Sequence, residues 1–98
     1  MAKPLPNYLN LGADSVIVTL SKPTELNGIT ADKITLRAPT VRDIRAAQLT
    51  ASGDEEQTEL NLFASLAQVG VKDLEGLVLK DYSRLQAGYF RLVQEDEL

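Results

Sequence analysis

The sequence has 98 residues, of which 44% are hydrophobic and 24% charged, with 14 acidic and 10 basic side chains giving a formal net charge of -4. That length holds one domain with a single modest core, and the composition is that of a folded chain rather than a disordered one. The acidic balance argues against a general nucleic-acid binder, and the lack of cysteine, histidine and tryptophan excludes disulfides, thiolate nucleophiles, His-based triads and His/Cys metal sites.

Met1-Ala2-Lys3-Pro4-Leu5-Pro6 has no long apolar run after its lysine, and no later segment approaches the roughly 20 apolar residues that cross a bilayer. No secretion signal and no membrane span are therefore expected. Residues 1–14 combine the breakers Pro4, Pro6, Asn7, Asn10 and Gly12 with the apolar Leu5, Tyr8, Leu9 and Leu11. This reads as an arm that docks on its own domain or on a neighbour.

Ser15 to Leu20 is β-branched and alternates Val16, Val18 and Leu20 against Ser15, Ile17 and Thr19, the pattern of a strand with one buried face. Pro23 and the Asn27-Gly28 pair turn the chain, and Asn-Gly suits a turn that needs positive φ. Ile29 to Arg37 supplies a second strand, so residues 15–37 or thereabouts are predicted to form an antiparallel hairpin. An isolated hairpin is marginal in water, and its apolar face must rest on helices or on another chain.

Pro39 ends that strand, and Thr40 with Asp43 makes a T-x-x-D form of the capping box. A helix is predicted over 41–51, with Val41, Ile44, Ala47 and Ala51 on one face and Arg42 and Arg45 elsewhere. Ser52 with Glu55 offers a second capping box, opening a helix over 54–69 that Gly70 stops. Its apolar residues, among them Leu60, Leu62, Phe63, Leu66 and Val69, cover an arc of roughly 220°. A short helical turn over 72–78 follows. A last helix over 81–94, capped by Asp81, carries Tyr82, Leu85, Tyr89, Leu92 and Val93 on one stripe with Phe90 to the side. Glu95-Asp96-Glu97 makes an acidic end. The fold class is therefore α+β, an N-terminal antiparallel β-hairpin packed on a bundle of three to four short α-helices.

Reactive equipment is absent. No Gly-rich phosphate-binding pattern occurs, and no cofactor and no catalytic residue are assigned. The acids Asp54, Glu55, Glu56 and Glu59 read as a solvated helix N-terminus, with a hard cation held by oxygen ligands as the sharper alternative. Arg37, Arg42 and Arg45 gather where strand becomes helix. They pair with Asp43 or Glu59, lie exposed, or contact a phosphate or an acidic partner patch. The wide apolar arc of the 54–69 helix has two readings also. Either it is the central helix of the core, or part of it waits for a partner.

Several short patterns together carry a family resemblance. Val18-Thr19-Leu20-Ser21-Lys22-Pro23, then Gly28-Ile29, then Leu36-Arg37-Ala38-Pro39-Thr40 with Asp43, then Leu66-Ala67-Gln68-Val69-Gly70-Val71, Asp73-Leu74, Leu77, and Asp81-Tyr82-Ser83-Arg84-Leu85 with Phe90 resemble the small tail assembly chaperones of long-tailed phages, in the branch found in Mu-like phages and prophages. The resemblance spans about residues 16–93, and the apolar arm departs from it. It implies a non-catalytic protein of the infected or lysogenic bacterial cytoplasm, not expected in the mature virion. Its partner would be the tape measure protein, kept soluble until tube protein polymerises around it. A longer form made by translational frameshifting would reach the major tail tube protein, and homo-oligomers are open to the chain. On this view Leu62, Leu66, Val69, Tyr89 and Phe90 form the contact surface. The competing function is a small acidic phage regulator that binds nucleic acid through the arginine cluster, or mimics it through the Asp54–Glu59 and Glu95–Glu97 acids.

Overall fold

The computed structural model describes residues 5–94. Three antiparallel strands come first, β1 (Leu9–Leu11), β2 (Ser15–Leu26) and β3 (Ile29–Arg37), in the spatial order β1-β2-β3. Four helices follow, α1 (Val41–Ala51), α2 (Glu55–Ala67), α3 (Val71–Glu75) and α4 (Leu79–Val93). The α+β architecture expected from the sequence is present, with one strand more than the hairpin. Part of the segment read as an arm supplies that strand, because Leu9, Asn10 and Leu11 pair with Val18, Ile17 and Val16.

The alternation in β2 does what its spacing requires. Val16, Val18 and Leu20 are buried together with Ile34 and Leu36 of β3, and this single apolar face receives α2 and α4. Leu62, Phe63 and Leu66 come down from α2, Leu74 from α3 and Leu85 from α4. Leu26 and Ile29 are joined by Asn27 and Gly28, both at positive φ (54° and 79°), the two-residue hairpin turn whose twist matches the strands. Asn27 then ties this tip to the helices: its backbone N–H donates to Asp73 Oδ2 at 3.1 Å and its side-chain amide to the Gln68 carbonyl at 3.1 Å.

The pairing of β2 with β3 slips between Thr19 and Thr24, and Pro23, which has no N–H to give, falls in the slipped stretch, where no ladder bond is lost. The amide of Ser21, also there, donates instead to Asp81 Oδ1 at 2.7 Å. Asp81 is therefore not the helix cap that the sequence suggested. The last helix starts two residues earlier, at Leu79, and Asp81 lies in its first turn, 1% exposed and turned toward β2. Two other ends also moved. Ser52 closes α1 in a left-handed conformation while Asp54 caps α2 by accepting from the Gln57 amide. Gln68, at positive φ, ends α2 before Gly70, which instead precedes α3.

Gly88 is the glycine that packing requires. An added Cβ would lie 3.0 Å from Val18 Cγ2 and 3.2 Å from Leu9 Cδ2, so α4 approaches the sheet through this gap. Alanine in place of an interior helical glycine ordinarily gains about 1 kcal/mol. Here Val18 is fully buried and stiff at χ1, and overpacking outweighs that gain. Gly88→Ala is expected to lose about 1 kcal/mol in urea denaturation, where an exposed glycine would gain.

Candidate partner-binding surface

The last helix divides cleanly by burial. Leu85 and Gly88 face the core, and Tyr82 and Tyr89 lean on Phe63 with ring centroids 5.8 and 5.2 Å away. On the opposite side, Leu79, Phe90 and Val93 stand exposed, Leu79 by 79% and Phe90 by 61%. At about 100° per residue these three positions fall within roughly 60° of one another. They form an apolar stripe along the outside of α4.

Beside that stripe runs a groove of about 470 Å³ between α2, α3 and α4. Leu60, Leu74, Leu77 and Tyr82 supply apolar lining together with Leu79, which the groove shares with the stripe, and Glu56, Glu59 and Glu75 supply acid. The Tyr82 hydroxyl donates to Glu59 Oε1 at 2.7 Å, and the Gln86 amide donates to the same oxygen at 2.9 Å. Burial pushes the Tyr82 phenol well above its usual range, and the bond to Glu59 with the charges of Glu59 and Glu56 adds to the shift. Tyr89 is raised by burial and then by Glu59. Both rings thus act as neutral donors or packing surfaces, not as bases.

The structure separates the residues expected at the contact surface. Leu62 and Leu66 are buried in the core cluster, Val69 and Tyr89 are half-buried against it, and Phe90 alone of the five is exposed. The wide apolar arc explains this: α2 lies between the sheet, α1 and α4, and most of its circumference is covered. Leu79 was missed by the sequence reading, because starting the helix at Asp81 left it outside, and Val93, expected on the packed stripe with Tyr82 and Leu85, is 45% exposed.

The three arginines also part company. Arg37 makes a two-pronged ion pair with Asp43, at 2.7 and 3.0 Å, while Asp43 Oδ2 accepts from the Thr40 amide and the Thr40 hydroxyl accepts from the Asp43 amide. The Arg37 guanidinium, the Thr40 amide and the Thr40 hydroxyl hold the Asp43 carboxyl far below the usual carboxylate range, against a smaller opposing effect of desolvation. The L-R-x-P-T-x-x-D pattern is thus a junction that locks strand to helix. Arg42 and Arg45 are exposed on α1. Val41, expected on the buried face of that helix, is 76% exposed, because α1 packs on α2 mainly through Ala47 and Ala51.

The V-x-L-x-x-P and D-Y-S-R-L patterns meet at a second junction. Besides the Asp81 bond to Ser21, Arg84 donates to the Thr19 carbonyl at 2.9 Å and lies 4.5 Å over the Tyr8 ring. The short patterns that carried the resemblance therefore fasten the fold. A family model described as "Phage tail assembly chaperone proteins, E, or 41 or 14" matches residues 17–94. The chain belongs to this family of phage tail assembly chaperones.

Comparison with curated proteins and with solved structures finds no match. Membership assigns the chaperone to phage tail assembly and to binding tail proteins in general. Among its described residues, no helix is long and apolar enough to cross a membrane, and no group of three acids is arranged to hold a metal ion. The Glu95–Glu97 acids invoked for nucleic-acid mimicry lie outside the described residues. The regulator alternative has no support from the family match.

Proposed function

We propose that this chaperone binds the phage tape measure protein and keeps it in solution until the tail tube assembles around it. The observation that carries the reading is the exposed Leu79–Phe90–Val93 stripe on α4 in a chain of the tail assembly chaperone family. A helical segment of the tape measure protein would lay its apolar face along this stripe, the helix-to-helix mode that releases without covalent chemistry. Phe90 makes the direct contact. Tyr89 precedes it on α4, Val69 packs against the core, and Leu62 and Leu66 hold α2 from within. Many weak copies along one long client give avidity that a single site lacks.

The setting follows from the role. The chaperone acts in the cytoplasm of the infected or lysogenic bacterium, belongs to a Mu-like phage or prophage, and leaves before the virion is complete. A longer frameshifted form brings in the major tail tube protein.

Phe90→Ser separates binding from folding. It is expected to unfold within about 0.5 kcal/mol of the wild type, since the side chain is largely solvated, while the tape measure protein retained in a pull-down falls at least about tenfold. Leu66→Ser, by contrast, should unfold the chain. Undiminished retention by folded Phe90→Ser would remove the stripe from the account.

A further inference from the structure

The groove and the apolar stripe form one continuous surface. At about 100° per residue, Leu79, Tyr82, Gln86, Phe90 and Val93 fall within roughly 80° of one another on α4. Leu79, Tyr82 and Gln86 also line the groove, while Phe90 and Val93 carry the stripe toward the end of the helix. A partner laid along the stripe therefore has one flank over the groove, and that flank meets acid. Glu56 and Glu75 are exposed, and among the described residues no lysine or arginine lines the groove and neither acid takes part in an ion pair. Glu59 is already engaged by Tyr82 and Gln86, which leaves Glu56 and Glu75 as the acids open to a partner.

We infer that the client segment seated on this surface is an amphipathic helix with lysine or arginine along one edge of its apolar face, placed so that its cations reach Glu56 and Glu75. For the identity of the client this rests on the tape measure reading, and it adds which segments of that client are taken. An apolar or acidic segment laid over the groove would take two carboxylates out of water without a partner, a loss that offsets the apolar contact. Lysine or arginine avoids it. Its aliphatic stem lies along Leu60, Leu74 and Leu77 while its charged end stays with the acids at the rim. Charges that remain near solvent choose the partner and fix its register more than they add affinity. The stripe thus supplies the grip, and the acids supply the choice among segments.

Two synthetic peptides of about 18 residues, long enough to hold a helix, test this on the full chain. They share one leucine face (i, i+3, i+4, i+7) and carry either lysine or glutamate along its edges. By fluorescence anisotropy at about 50 mM salt, the lysine peptide is expected to bind at least about tenfold more tightly than the glutamate peptide, with the gap narrowing at about 0.5 M. Glu56→Gln/Glu75→Gln should abolish the preference and Glu56→Lys/Glu75→Lys should reverse it, each variant being checked for a wild-type circular dichroism spectrum. Asp14→Asn/Asp32→Asn removes the same charge from exposed residues outside the groove and should leave the preference intact, and Phe90→Ser should weaken both peptides alike. Equal binding of the two peptides, binding of neither, or a preference that survives the loss of Glu56 and Glu75 would each overturn the inference. Overlapping peptides of the tape measure protein then separate the two claims. Binders that lack lysine or arginine beside their apolar face would contradict the inference and keep the client, whereas no binder at all, from a chain that still prefers the lysine peptide, would remove the client and keep the preference.

Discussion

Phe63→Ala is expected to lower the free energy of unfolding by about 3–5 kcal/mol. Phe63 is fully buried, and it is the side chain on which α4 leans through both Tyr82 and Tyr89. Truncation removes the apolar transfer term and leaves a space that two tilted rings, one of them tied to Glu59, fill poorly. A domain of this size has about 5–15 kcal/mol in all, so the variant sits near the edge of folding. Its melting temperature should drop by about 12 °C or more. Urea denaturation followed by circular dichroism measures the loss directly, and a loss below about 1 kcal/mol would mean that α4 is held elsewhere.

The second large effect belongs to Asp81. Its Oδ1 takes the Ser21 amide at the slip in β2, and its Oδ2 is buried without a hydrogen-bond partner among the described residues. Alanine there strands a backbone N–H and removes an acid from the first turn of α4, an expected cost of about 2–4 kcal/mol. Asparagine keeps an acceptor for the amide and should cost less.

The carboxyl also sets a pH dependence. Burial pushes its pKa up, but the Ser21 amide and hydroxyl, the Lys22 amide and the Arg84 charge outweigh this, so its pKa in the folded chain lies below the ordinary value. The unfolded state therefore takes up its proton first as pH falls. The stabilisation from Asp81 is complete above the unfolded value of about 4 and is lost as pH drops through the folded one. Between pH 7 and pH 3 the wild type should lose more stability than Asp81→Asn, and equal losses would contradict the assignment. Asp43, lowered for a like reason beside Arg37, keeps part of the acid sensitivity in both proteins.

The residues that made the fold legible are those whose signals are local. Alternation in Ser15–Leu20, the Asn27-Gly28 pair and the Thr40/Asp43 box each act within a few positions, and each stands where the sequence placed it. The strand at Leu9–Leu11 was not legible, because three residues carry too little periodicity and their partners Val16–Val18 are chosen by the edge of a sheet that forms only in the folded chain. Asp81 misled for a related reason: a carboxylate directly before an apolar stripe looks like a cap, and only the slip in β2, some 60 residues away, shows whose amide it serves.

The candidate surface was less legible than the fold. Apolar spacing identifies residues that want cover, and tertiary packing decides which obtain it from the chain itself. Leu62 and Leu66 are covered by the chain's own core, whereas Phe90 on the same helix as Leu85 is not. The arginine cluster dissolved likewise, since bidentate pairing with Asp43 removes Arg37 and leaves Arg42 and Arg45 exposed on α1.

The measurement that reaches the centre of the account is co-expression of the chain with the tape measure protein of the same genome, then size-exclusion chromatography with light scattering on the soluble fraction. The expected result is a soluble complex in which several copies of the chaperone accompany each tape measure molecule. A tape measure protein that stays insoluble while the chaperone elutes free would contradict it.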